Sequence, residues 1–282
     1  MVRKTFKRFA KDRCPNHAII ISYFAVLSSI PLVALFTFVS TKLLGNPEIA
    51  IRSLNIFSDE FFAERNPLFF ERIQFLSHDI SNLGWFGLVG SFIAGSFLFS
   101  NLIYSINYIF KADPNKSFFY KRLMEYIIMS VVGIFMLISL AITAIWTALT
   151  RIVQESPFVA NSINPETVSL FNNFFLQYAI PFTLTCLVFF SLYKFIPEVK
   201  VHTRAALTAA LIGGLLWEVF KRVFAFYVAH FSAIGIVLSR LLEGTFTSLI
   251  FFLIWVSLSL MILLWGAELA SVLNERMNQK HA

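Results

Sequence analysis

Long uninterrupted apolar runs alternate along this chain with short segments that hold most of its Lys, Arg, Asn and Asp. Six runs of twenty residues or more stand out: Ala18 to Leu44, Leu83 to Phe110, Leu123 to Thr150, Phe174 to Ile196, Thr203 to Phe231 and Phe246 to Leu273. At a rise of about 1.5 Å per residue, each is long enough as a helix to cross roughly 30 Å of hydrocarbon. Barrel strands would alternate apolar and polar positions over about ten residues, whereas these runs are continuous, so the pattern predicts helices. The first run exceeds the core of a signal peptide and lacks a small-residue cleavage site, so it reads as a retained helix. The expected fold is an all-α integral membrane protein: a bundle of six transmembrane helices (18–44, 83–110, 123–150, 174–196, 203–231, 246–273) forming a single polytopic domain over residues 1–282.

Two segments outside the runs are amphipathic. The outer loop 45–82 carries Phe61-Phe62, Leu68-Phe69-Phe70, Ile73 and Leu76 beside charged residues, a spacing that predicts short interfacial helices. The basic N-terminal stretch has Phe6 and Phe9 three apart. It reads either as an interfacial helix held to anionic lipid or as a plain topogenic charge cluster.

Composition sharpens the same picture. Of 282 residues, 57% are hydrophobic and only 14% charged, with a mean hydropathy of +0.73. A soluble domain carries about 25% charged residues, so water cannot be the solvent for most of this surface. The net charge of +7 would suggest nucleic acid in a soluble protein, but the cations lie between the apolar runs, so no nucleic-acid partner is expected. One side of the membrane receives Arg3, Lys4, Lys7, Arg8, Lys11, Arg13, the cations of 111–122, those of 194–204, and Arg276 and Lys280. The other side receives Lys42, Arg52, Arg65, Arg72, Arg151 and Arg240, diluted by acidic residues. The balance of fifteen against six predicts cytoplasmic N- and C-termini.

The sequence has no His-Glu-x-x-His, Gly-x-Ser-x-Gly, Gly-x-x-x-x-Gly-Lys-Ser/Thr or Cys-x-x-Cys, and its five histidines are scattered. No enzyme, no cofactor and no metal is expected. Cys14 and Cys186 are expected at different depths, which implies no disulfide.

The sharpest feature is Trp217-Glu218-Val219-Phe220-Lys221-Arg222 inside the fifth run, because ionisable groups within a membrane cost free energy. Glu218 is three residues from Lys221 and four from Arg222, so the three can share a helical face and compensate one another. One reading is a polar cavity in which Lys221 and Arg222 bind a headgroup or anion while Glu218 orients them. The other is that the span ends near Phe220 and the charges snorkel to the interface. In the second run Asn101, Tyr104, Ser105 and Tyr108 form a polar stripe, which either bonds across helices or lines the same cavity, with Asn101 and Tyr104 the residues expected to approach Glu218. Small residues at Gly87, Ser91, Gly95 and at Ala205, Ala209, Gly213 predict close helix packing. Pro31 is expected to kink helix one, either as a static bend or as a gating hinge, and Pro181 to act similarly near the start of helix four. Glu268 is expected to make an ion pair with loop cations.

These features resemble the YihY/BrkB family of bacterial inner-membrane proteins through most of the chain. The resemblance rests on Ser22-Tyr23-Phe24-Ala25-Val26-Leu27-Ser28-Ser29-Ile30-Pro31-Leu32, on Leu192-Tyr193-Lys194-Phe195-Ile196-Pro197, on Trp217-Glu218 with Lys221-Arg222 and Phe226-Tyr227, and on Leu253-Ile254-Trp255 with Leu263-Leu264-Trp265-Gly266-Ala267-Glu268-Leu269. Ile234-Gly235-Ile236-Val237 departs from it. The resemblance implies a multi-pass location in the bacterial inner membrane and a loose link to envelope lipid export. The expected function is a transporter or flippase for an amphipathic envelope lipid or organic anion. Its partners would be membrane lipids, including an anionic headgroup or envelope lipid precursor. The alternative is a non-transporting envelope scaffold or assembly partner that binds lipid or another membrane protein. The oligomeric state is left open by the sequence.

Overall fold

The computed structural model describes residues 2–28, 85–112, 119–120, 122–135, 138, 179–231 and 244–281. Pro31, the outer loop 45–82 and the segments 139–178 and 232–243 lie outside the described residues. Among the described residues the elements are helices, with no strand: α1 (Val2–Lys11), α2 (Cys14–Ser28), α3 (Trp85–Ile109), α4 (residues 122–135), α5 (Ile180–Phe195), α6 (Thr203–Phe231) and α7 (Gly244–His281). One helix among them, Ile250–Gln279 within α7, is by itself long and apolar enough to cross a membrane, and Cys14–Ser28 and Ile180–Phe195 are shorter apolar helices.

α7 is the centre of the assembly, in contact with α1, α3, α5 and α6. Its stretch Leu263 to Val272 is buried on every side, as a helix surrounded by other helices must be. α6 packs on both α5 and α7 through a stripe made only of small residues: Ala205, Ala206, Ala209, Ala210, Gly213 and Gly214 are all buried. Its opposite face carries Leu207, Leu211, Leu215, Val219 and Val223, with Leu215 and Val223 each 60% exposed. Small side chains inward and large aliphatic ones outward invert the order of a water-soluble helix. Hydrocarbon as solvent explains it, since no hydrophobic force then drives large side chains inward and backbone proximity decides the contact. The expected packing of Ala205, Ala209 and Gly213 is thus observed. Gly95 on α3 is buried as well, while the burial of Gly87 and Ser91 lies outside what is described.

Tyr193 of α5 locks the three helices at their junction. It is fully buried, and its hydroxyl donates to the Leu263 carbonyl of α7 at 2.8 Å. A Cβ at Gly266 would stand 2.2 Å from the Tyr193 Oη, and one at Gly213 would stand 3.1 Å from the Phe189 ring and 3.5 Å from the same Oη. Glycine is required at Gly266 because the tyrosine ring occupies the space of any side chain.

Local signals account for the helix ends. α3 ends in a Schellman arrangement, Ala112 N–H to Asn107 O at 3.0 Å and Lys111 N–H to Tyr108 O at 3.1 Å, with Lys111 in the left-handed region at φ 53°. Pro181 falls at the start of α5, where the first turn of a helix tolerates a missing N–H; the kink expected of it depends on residues before 179, which lie outside the described residues. α1 turns into α2 through Asp12-Arg13, with Arg13 at φ 50°.

Replacing Gly266 by Ala is expected to destabilise the protein by about 1–3 kcal/mol through overpacking, measured by thermal unfolding in detergent. In a Tyr193→Phe background, which removes the nearest atom, the same substitution should cost less. Equal costs in the two backgrounds would show that the Tyr193–Gly266 contact is not the constraint.

Candidate functional site

The charged segment of α6 folds as an ion pair on one helical turn. Lys221 Nζ lies 2.7 Å from Glu218 Oε1, and the two side chains are only 26% and 14% exposed. The i, i+3 spacing places them one above the other, and within a membrane span an unpaired charge costs roughly 2.5–3.5 kcal/mol. On one flank, one helical turn before Glu218, Gly214 faces α5 at the buried Cys186. α5 comes so near there that a Cβ on Gly214 would stand 2.7 Å from the Cys186 Sγ. On the other flank Trp217, Phe220 and Phe224 enclose Trp255 of α7, with ring centroids 5.2, 5.1 and 5.2 Å away. The pair therefore sits between a close helix contact and an aromatic cluster that holds α6 on α7. Arg222 is exposed at the edge of this group.

The polar stripe of α3 is placed against α2. The Asn101 amide donates to the Phe97 carbonyl of its own helix at 2.8 Å. Tyr104 is 62% exposed, its ring 6.1 Å from His17 and 6.4 Å from Tyr108. Ser105 donates to the Asn101 carbonyl at 2.8 Å and lies 3.2 Å from His17 Nδ1. Asn101 thus bonds within α3, and Tyr104 meets Tyr108 of its own helix and His17 of α2. Pro31 lies outside the described residues.

Three further polar groups were not foreseen as sites. Arg122, expected in a loop, starts α4 and donates from Nη1 to Glu125 Oε2 at 2.6 Å and to Ser96 Oγ of α3 at 3.0 Å; Glu125 is buried. The i, i+3 spacing of Arg122 and Glu125 was a usable signal. Glu268 is fully buried beside Cys14, with Sγ 3.8 Å from its Oε1, and among the described residues its Oε2 has no hydrogen-bond partner. Among the described residues Glu268 makes no ion pair, and the loop cations Lys116 and Lys121, with which a pair was expected, lie outside those residues. Arg8 of α1 grips Glu275 of α7 with both guanidinium nitrogens, at 2.8 and 2.7 Å, and Lys4 lies 3.5 Å from the same carboxylate. The hydrogen bonds and charge of Glu275 raise the Arg8 pKa above its ordinary value. Residues 267 positions apart leave no local signal for such a pair. Both readings of the N-terminal stretch are refined by it, since α1 is a helix docked on the protein.

A cavity of about 830 Å³ opens at the end of the bundle that carries α1. Its wall combines the 196–202 connection with the last turns of α7, and includes Lys194, Lys200, His202, Asn274, Glu275 and Asn278. Asn274 braces the connection, accepting from His202 N–H at 2.8 Å and donating to the Lys200 carbonyl at 3.0 Å, while Asn107 accepts from Glu198 N–H at 2.9 Å. His202 Nε2 lies 2.9 Å from Asn278 Oδ1, and Lys194 Nζ donates to the Val201 carbonyl. Among the described residues no group of three His, Cys, Asp or Glu side chains could hold a metal ion.

Helices packed through small residues, with an apolar outer surface and ion pairs closed on themselves, define a helical membrane protein. The family described as Virulence factor BrkB matches residues 5–282, and the chain belongs to that family, as its motifs indicated. Its relatives include a UPF0761 membrane protein of Acinetobacter baylyi, 28% identical over 280 residues that cover 95% of this chain and 60% of that protein. A UPF0761 membrane protein of Vibrio campbellii is 26% identical over 273 residues, covering 96% and 81%. One of Vibrio cholerae is 30% identical over 200 residues, covering 70% and 62%. The chain thus spans less than two thirds of the Acinetobacter and V. cholerae proteins in these matches. No solved structure matches it.

Removing one member of the α6 pair leaves the other charge uncompensated, so Glu218→Ala should destabilise the protein more than Glu218→Ala combined with Lys221→Ala. A double-mutant cycle by thermal unfolding is expected to give a coupling of about 0.5–3 kcal/mol. A coupling indistinguishable from zero would mean that the charges act separately.

Proposed function

We propose that this protein is an inner-membrane transporter or flippase that moves an amphipathic envelope lipid or an organic anion through a six-span bundle with cytoplasmic termini. The observation that carries this reading is the partly buried Glu218–Lys221 pair with Arg222 one position further on. A buried ion pair is a poor source of stability, since well-packed apolar residues serve as well or better, so charges kept on a helix with an apolar outer face suit recognition of a charged ligand. In this reading Arg222 and Lys221 attract the anionic head and Glu218 orients Lys221. Asn101 and Tyr104 offer polar contacts from α3, and Pro31 bends the first helix. The substrate is moved and not chemically altered, so the protein is not an enzyme. It needs no cofactor, and its partners are membrane lipids, not nucleic acid.

A second reading, an envelope scaffold that binds lipid or another membrane protein without transporting it, is favoured by the closure of these groups. Glu218 is ion-paired with Lys221, and Asn101 is hydrogen-bonded to its own helix.

Arg222→Ala is expected to abolish the export or survival phenotype while the protein still inserts and accumulates. Arg222→Lys should keep part of it if charge matters more than guanidinium geometry. An intact phenotype in Arg222→Ala would turn the choice to the scaffold. Reporter fusions should place the C-terminus in the cytoplasm; an external C-terminus would overturn the topology.

A further inference from the structure

The cavity beside α1 has an unusual charge balance. Lys194 and Lys200 contribute two cations, and Glu275 is the single carboxylate in its lining. That carboxylate is already committed, because Arg8 bonds to both of its oxygens and Lys4 adds a second cation. Among the described residues neither Lys194 nor Lys200 makes an ion pair. Like charges converging on one cavity repel each other and raise the local concentration of anions.

We infer that this cavity binds a phosphate-bearing anion through Lys194 and Lys200, and that Arg8 keeps it cationic by holding Glu275 to α1. The wall is preorganised for this. Asn274 fixes the connection by two hydrogen bonds, and Asn278 meets His202, so little ordering is left for a ligand to impose. Lys194 spends one donor on the Val201 carbonyl, and an ammonium has three. A compact ammonium recognises phosphate as a point charge, without the planar fit that a guanidinium demands. About 830 Å³ lies within the usual range of roughly 300–1,000 Å³ for small-molecule sites.

The site is separate from the proposed transport residues. Thr203 lines the cavity, and Glu218 lies fifteen residues further along the same helix, about 22 Å away at 1.5 Å per residue. The inference therefore stands whether or not the protein transports. A phospholipid headgroup and a soluble phosphate ester share the required chemistry.

The test uses the purified full-length chain in phosphatidylcholine nanodiscs, with or without a minor fraction of phosphatidic acid. Retained lipid is read by native mass spectrometry, and inorganic phosphate is titrated calorimetrically into the pure phosphatidylcholine discs. Retention of phosphatidic acid assigns the site to a lipid headgroup, phosphate binding in the pure discs assigns it to a soluble anion, and binding of neither overturns the proposal. Lys194→Gln with Lys200→Gln should weaken the binding about tenfold or more, the size expected when charge-assisted hydrogen bonds are lost. Lys200→Gln alone, whose side chain lies on the exposed edge, should weaken it with an unchanged melting temperature, and unaltered affinity in both variants would overturn the site. Arg8→Gln should also weaken binding, because it frees Glu275 to turn toward the lysines, and adding Glu275→Gln should restore it. If Arg8→Gln leaves affinity unchanged, or if Glu275→Gln does not rescue it, Arg8 does not set the charge of the cavity.

Discussion

The contact of Tyr193 with Gly266 sets the distance between α5 and α7, and the remaining packing follows from that distance. With the Tyr193 hydroxyl bonded to the Leu263 carbonyl, α6 can join the junction only along a face without bulk. Along that junction its buried face is accordingly Ala205, Ala206, Ala209, Ala210, Gly213 and Gly214. The same closeness shortens the passage from α5 to α6 to the connection 196–202, which Asn107 and Asn274 then brace from α3 and α7. The cavity beside α1 is the space left where that connection meets the last turns of α7.

A hydrocarbon surrounding explains how the isolated polar side chains are treated. Hydroxyls within the helices return a hydrogen bond to a carbonyl one turn back: Ser28 to Phe24, Ser105 to Asn101, Thr183 to Ala179, Thr208 to Arg204 and Ser259 to Trp255, all between 2.6 and 2.8 Å. This satisfies the group within its own helix, so no water or second helix is required. Asn101 does the same with its amide. Its sequence position on a polar stripe says only that it avoids lipid, and an intrahelical bond meets that need as well as a cavity would.

Charges follow a stricter logic, because each must meet an opposite charge or lose its own. Glu218 with Lys221 and Glu125 with Arg122 are paired within one helix at i, i+3, and the second pair also holds Ser96 of α3. Arg8 with Glu275 is different in kind, since it ties the first helix to the last. Glu268, buried seven residues earlier on α7 beside Cys14, is sealed by that docking. The N-terminal helix is therefore part of the protein's charge balance.

The sequence alone determined the helical class, the solvent and the local pairs. Continuous apolar runs cannot be satisfied in lipid by anything but helices or a closed barrel, small residues four apart announce a close contact, and i, i+3 charges meet wherever a helix forms. The family was legible for the same reason, in motifs such as Leu192-Tyr193-Lys194 and Trp265-Gly266-Ala267-Glu268, and so was the pairing of Glu218 with Lys221. Which helix each small face meets, that the Tyr193 ring fills the space above Gly266, that Tyr104 lies beside His17 while Asn101 turns back on its own helix, and that Arg8 reaches Glu275 were decided by tertiary structure. Most of these depend on residues far apart in the chain, whose meeting is set by the packing of whole helices and leaves no trace in local spacing.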